Sequence, residues 1–160
     1  MFFTKKESKP QYTLSLSDEA NPLSAYAEHP FELDGYSWPT VAHYYHATKY
    51  GDEAYAAKIR AAATPAEAAK LGKSRWHKKR KDWNKVKTTV MTRGTYIKCR
   101  TYPEIGQALL DTQDKEIKEL SLYDYFWGTG RDTRGKNAYG EMLMAVRNKL
   151  KQEQLDNEKE

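Results

Sequence analysis

Residues 121–147 read SLYDYFWGTGRDTRGKNAYGEMLMAVR. This stretch decides the fold, because a turn dense in glycine hands over directly to an amphipathic helix. Gly128, Gly130 and Gly135 are free to take positive φ and to let backbone amides come close to a ligand. A helix that starts just after them presents unpaired N–H groups and the positive end of its dipole. The expectation is an anion-binding corner suited to a phosphate or pyrophosphate, met by Lys136 and Asn137 at the helix entrance. Asp124 supplies an acid beside it, and Trp127, set at a turn rather than on a helix seam, supplies a flat wall. The helix itself is expected over 138–152, with a charged tail, 153–160, that frays.

Working outward, Ile117, Glu119 and Ser121 alternate and predict a short strand feeding the corner. Pro103 opens a helix that reaches Thr112, and residues 76–95 read as one long basic helix. Trp83, Val86, Val90 and Met91 take its inner face, while Lys79, Lys81, Lys85 and Lys87 point outward. Thr64-Pro65 with Glu67 starts a short helix stopped by Gly72, and another spans about 52–62. Thr40, after Pro39, caps a helix over 40–50. Upstream, Asp34-Gly35 joins two short strands within 31–38, and Tyr12, Leu14 and Leu16 alternate in an edge strand over 11–16. The expected architecture is α+β, a single mainly helical domain with a small β element. Its parts are an arm at 1–20, the domain at 21–152 and the tail.

The chain has 160 residues and a net charge of +5, which suits one core. The charge is uneven. Residues 73–100 hold eleven Lys and Arg against one acid, Asp82, leaving 16 cations and 21 anions elsewhere. Either this segment meets an anionic partner, a phosphate-bearing molecule or a nucleic acid, or it is a solvated helix face. Cys99 is the single cysteine, so there is no internal disulfide, and a reducing cytoplasmic setting is expected. His43 and His46 lie three apart, but no third ligand supports a metal, and no metal or cofactor is expected. His43 reads equally well as a hydrogen-bonded structural residue. No signal peptide or membrane span is legible. Neither GxSxG, nor a P-loop, nor a dinucleotide fingerprint occurs.

The order of blocks goes further than composition. LSAYAEHPF (23–31), LDGYSWPTVAHYYHATKY (33–50), AAKLGK (68–73), RKDWNKVKTTVM (80–91), LLDT (109–112), SLYDYFWGTG (121–130) and GKNAYGEMLMAVR (135–147) together resemble the NADAR, or YbiA-like, family over about residues 23–150. The resemblance implies a metal-independent hydrolase of N-glycosidic bonds in phosphorylated ribose compounds. Its substrates would be ADP-ribosylated guanine in nucleic acid or reactive intermediates of riboflavin synthesis. It places Trp38, His43, Tyr44 and Lys49 in the ligand site, with Trp127 stacking and with Gly128, Gly130, Lys136 and Asn137 on the phosphates. Two positions depart. Ala42 stands where the family has a catalytic glutamate, and Ala25 where it has an asparagine. Three readings stay open: an inactive relative that binds ADP-ribose without turnover, transfer of the catalytic work to Asp124, or a replacement made to hold a ligand.

Overall fold

A computed structural model describes residues 9–160. Among these, ten elements follow in order: β1 (Gln11–Leu14), β2 (Phe31–Leu33), β3 (Tyr36–Trp38), α1 (Val41–Thr48), α2 (Glu53–Arg60), α3 (Pro65–Leu71), α4 (Trp83–Thr101), α5 (Pro103–Leu110), β4 (Glu116–Glu119) and α6 (Ala138–Glu158). The class is α+β, as the spacing predicted. Of the arm assigned to 1–20, residues 1–8 lie outside the described residues, and β1 pairs in parallel with β4.

Local chemistry explains most boundaries. Thr40 accepts a hydrogen bond from the His43 amide at the start of α1, Asp52 does the same for Ala54 and Tyr55 at α2, and Thr64 for Glu67 at α3. The β2–β3 hairpin turns on Asp34 (φ 55°) and Gly35 (φ 83°), both left-handed, which is what a two-residue loop of this kind requires. The core gathers Val41, Tyr44, Ile59, Leu109, Ile117, Tyr139 and Leu143, all 2% exposed or less. Lys98 is buried among them, its ammonium donating to the carbonyls of Pro22 (2.7 Å) and Ser24 (2.9 Å). Burial lowers its pKa to about 8, so the charge that pins this connection to α4 is kept at neutral pH.

Three helix ends lie well away from the sequence reading, one of them the end of the basic helix, which runs on to Thr101 rather than 95. The basic helix begins at Trp83 rather than near 76. The preceding residues are drawn out of helical geometry by a bridge between Tyr50 and Lys79 and by the Arg80 amide donating to the Lys49 carbonyl (2.9 Å). The final helix does not fray at 152. It continues to Glu158 because Glu153 accepts from Tyr96 and pairs with Arg100 of α4 (3.0 Å). No helix of the described residues is long and apolar enough to cross a membrane.

Candidate functional site

A cavity of about 150 Å³ opens between α1, α4 and the loop after β4. Helix α1 contributes Ala42, Tyr45 and His46, which share a face because they stand at i, i+3 and i+4. Ala25, Tyr26, Asp124, Trp127 and Met91 of α4 also line the cavity, and the exposed Lys73 stands at the rim. The two departures from the family pattern fall on one wall, since the Ala42 amide donates to the Ala25 carbonyl at 2.9 Å. The enclosed volume is below the roughly 300 Å³ at which sites engulf a drug-sized ligand. It admits one ring, with the remainder of any ligand outside.

The wall chemistry is specific. Tyr45 meets Trp127 edge to face (5.5 Å, 84°) and lies against Trp83 (4.9 Å). Burial, with the charge of Asp124 adding to it, raises its hydroxyl to about 12, so it is a neutral donor at any ordinary pH. Asp124 shapes the turn before Trp127. Its Oδ1 accepts from the Phe126 amide (3.0 Å) and the Trp127 amide (2.7 Å), forming the turn, while the residue also lines the cavity. His46 has a buried Nδ1 without a hydrogen-bond partner among the described residues. Burial, reinforced by Lys49 and Lys73, lowers its pKa to about 3.

That shift has a consequence for stability. Between pH 6.5 and about 3 the unfolded chain protonates this histidine while the folded chain does not, so the unfolded state binds more protons and stability falls as the pH drops through that window. Urea denaturation should show it, and His46→Gln should flatten the slope by up to one proton's worth, ~1.4 kcal/mol per pH unit. His43, lowered chiefly by its own burial, supplies a slope of the same sign.

The anion corner does not form as the sequence suggested. The amides of Lys136, Asn137, Ala138 and Tyr139 donate to the carbonyls of Tyr125 (2.9 Å), Gly128 (3.0 Å), Phe126 (2.9 Å) and Trp127 (3.0 Å). The helix N-terminus is closed by its own loop, and none of those donors is left for a phosphate. The glycines serve packing. A Cβ on Gly128 would come 2.4 Å from Glu119 Oε1, and one on Gly135 would come 2.3 Å from the Gly128 carbonyl. Gly130, at φ +71°, fits beneath the Tyr125 ring. Asn137 is a clamp on β4, its Oδ1 accepting from the Glu119 amide and its Nδ2 donating to the Ile117 carbonyl, both at 2.8 Å. Lys136 is exposed, with its ammonium 5.8 Å from the Phe126 ring.

Three residues carried over by resemblance lie in the core away from the cavity wall. The Trp38 indole donates to the Leu33 carbonyl (2.9 Å), His43 bridges Thr40 (2.8 Å) and the Ala62 carbonyl (3.0 Å), and Tyr44 donates to Asp34 (3.4 Å). Lys49 commits its ammonium to the Gly72 carbonyl (2.7 Å), just outside the wall. Tyr26, Tyr45, His46 and Lys73 line the cavity without having been singled out as site residues. For Tyr45 and His46 the helical spacing from Ala42 was the available signal. No group of three or more candidate metal ligands occurs among the described residues.

A mainly helical α+β domain with a ring-sized cavity walled by an indole and a carboxylate is the class that the fold and site define. The comparisons then fix the family. The NADAR domain matches residues 2–151, and the chain belongs to that family. N-glycosidase YbiA of Escherichia coli (strain K12) is 37% identical over 136 residues, covering 85% of each chain. N-glycosidase Npun_R5314 of Nostoc punctiforme is 39% identical over 132 residues, covering 81% of this chain and 85% of its own. The NMR structure of the E. coli protein YbiA superposes with a TM-score of 0.83 at 35% identity, covering 92% of this chain and 89% of that one. By family resemblance the chain is an N-glycosyl hydrolase.

Proposed function

We propose that the cavity holds the ribose of an ADP-ribosylated nucleobase, guanine in the first instance, or of a related ribosyl phosphate, and hydrolyses its N-glycosidic bond. The observation that carries this reading is convergence: Ala42, Asp124 and Trp127, singled out independently, line one ring-sized cavity. Cleavage of such a bond passes through an oxocarbenium-like sugar, which a carboxylate steadies. Asp124 is the one carboxylate on that wall among the described residues, and its Oδ2 accepts no hydrogen bond from them. The Trp127 indole offers a face for stacking. Phosphates would lie outside, toward Lys73, and not on the α6 entrance.

Ala42 and Ala25 favour a second reading, in which the same cavity binds the ribosyl phosphate without turnover. Chromatographic assay of base release from ADP-ribosylated guanosine and from riboflavin-pathway ribosyl phosphates separates the two. Slow release is expected from the unmodified chain, lowered about 10²-fold in Asp124→Asn, a replacement that keeps the Oδ1 acceptor of the turn. Calorimetric binding of ADP-ribose with no release by the unmodified chain or by Ala42→Glu would establish the binding module instead.

A further inference from the structure

Residues 73–81 take no part in the cavity beyond Lys73, yet they carry the most exposed aromatic among the described residues, set in a run of cations. Trp76 is 95% exposed, in a protein whose other tryptophans are each 8% exposed or less. Around it project Arg75, Lys78, Lys79 and Lys81, all exposed. Among the described residues, Arg80 is the one cation of this stretch with an ion-pair partner, Asp82 (2.6 Å). Lys49, beneath the segment, has its pKa lowered first by burial and then by Lys79, Lys87 and Lys73. Asp82 pairs Arg80 and Asp52 lines the cleft beside them, while Arg75, Lys78, Lys79 and Lys81 pair with no acid among the described residues.

The strip is held in shape. His77 stacks on Tyr55 (3.5 Å, 6°) and shares a hydrogen bond with Ser74 (3.1 Å), and the Tyr50–Lys79 bridge fixes the far end. Beside Trp76 a cleft of about 500 Å³ runs between Gly51 and Asp52 on one side and residues 76–81 on the other. An ordered backbone that displays cations and a bare indole together presents the two groups that unpaired nucleotides use, a charged track for phosphates and a platform for a base.

We propose that residues 73–81 form a docking strip for a single-stranded polynucleotide. Trp76 stacks on one base, Arg75, Lys78, Lys79 and Lys81 meet consecutive phosphates, and the strand runs toward Lys73 at the cavity rim. A free nucleotide would engage one or two of these charges, whereas several phosphates in series engage them all. Duplex DNA offers no unstacked base to the indole. The docking stands without the glycosidase reading; that the docked strand presents a base to the cavity rests on it.

Fluorescence anisotropy with a labelled oligothymidylate of about 20 nucleotides tests the docking. For about four phosphate contacts, affinity should fall roughly fifty-fold between about 50 and 200 mM salt. Trp76→Ala should weaken binding at least about tenfold, with Trp76→Phe recovering part of it, and Lys78→Glu with Lys79→Glu should lower the salt slope. Binding equal to the unmodified chain in Trp76→Ala, no binding at low salt, or displacement of the oligonucleotide by stoichiometric ADP-ribose would each overturn it. Base release from nucleoside-sized substrates reports on the cavity separately. Trp76→Ala should leave it unchanged, and a chain that binds the oligonucleotide while releasing no base from any substrate would sink the glycosidase reading alone.

Discussion

Replacing Glu119 with alanine is expected to destabilise the protein by about 4 kcal/mol, which for a chain of this size moves the melting temperature down by roughly 8–16 °C. Glu119 is fully buried. Its Oε2 accepts from the Leu16 amide and the Ser121 hydroxyl, both at 2.7 Å, and its Oε1 from the Ser121 amide at 2.6 Å. The carboxylate thus ties the segment after β1 to the segment after β4, and both contribute to the cavity through Leu16 and Asp124. Alanine strands two backbone donors away from water, at about 1–3 kcal/mol each, while the hydroxyl can turn elsewhere. Glu119→Gln should cost about half as much, because its amide group faces donors where the carboxylate offered an acceptor. Urea denaturation with both variants checks this, and a loss below about 1 kcal/mol for Glu119→Ala would show that water replaces the clamp.

What the sequence disclosed and what it withheld divide along physical lines. The hairpin at Asp34-Gly35, the caps Thr40 and Thr64, and the start at Pro103 are local signals, complete within four or five residues, and they predicted their elements. The entry to α4 was misplaced because a contact with Tyr50, about thirty positions upstream, overrides the helical spacing of Lys79 and Lys81. The tail was misplaced for the same reason, since its anchors Tyr96 and Arg100 lie on α4. At the glycine corner the residue types were read correctly as permitting close approach. What approaches is the protein's own loop, whose carbonyls occupy the α6 amides, and no local pattern distinguishes that closure from an open anion site. The cavity was half legible. Ala42, Asp124 and Trp127 were marked, while Trp38, His43 and Tyr44 came along as neighbours in one block although the β2–β3 hairpin holds Trp38, and the turn of α1 holds His43 and Tyr44, in the core.

Restoring a carboxylate at position 42 should raise the rate of base release by about 10²- to 10⁴-fold, the usual contribution of a positioned acid or base. Ala42 is 2% exposed and its side chain lines the cavity, so a glutamate there has open space to enter and little water to solvate it. Tyr45 is one turn away and lines the same cavity, its hydroxyl held neutral by burial with a pKa of about 12. Asp124 lines the same cavity, and two carboxyl groups sharing it favour keeping one of them protonated. That division of labour is what a hydrolysis needing both charge stabilisation and proton transfer calls for. Burying the added group should lower stability by about 2 kcal/mol, so activity and folding move in opposite directions. Ala42→Gln fills the same space without a proton to move and should show the stability loss alone. If Ala42→Glu and Ala42→Gln both fold, as followed by circular dichroism, and release base at the same rate, the side chain at 42 does not face the anomeric carbon, and catalysis must be sought from Asp124 without a partner.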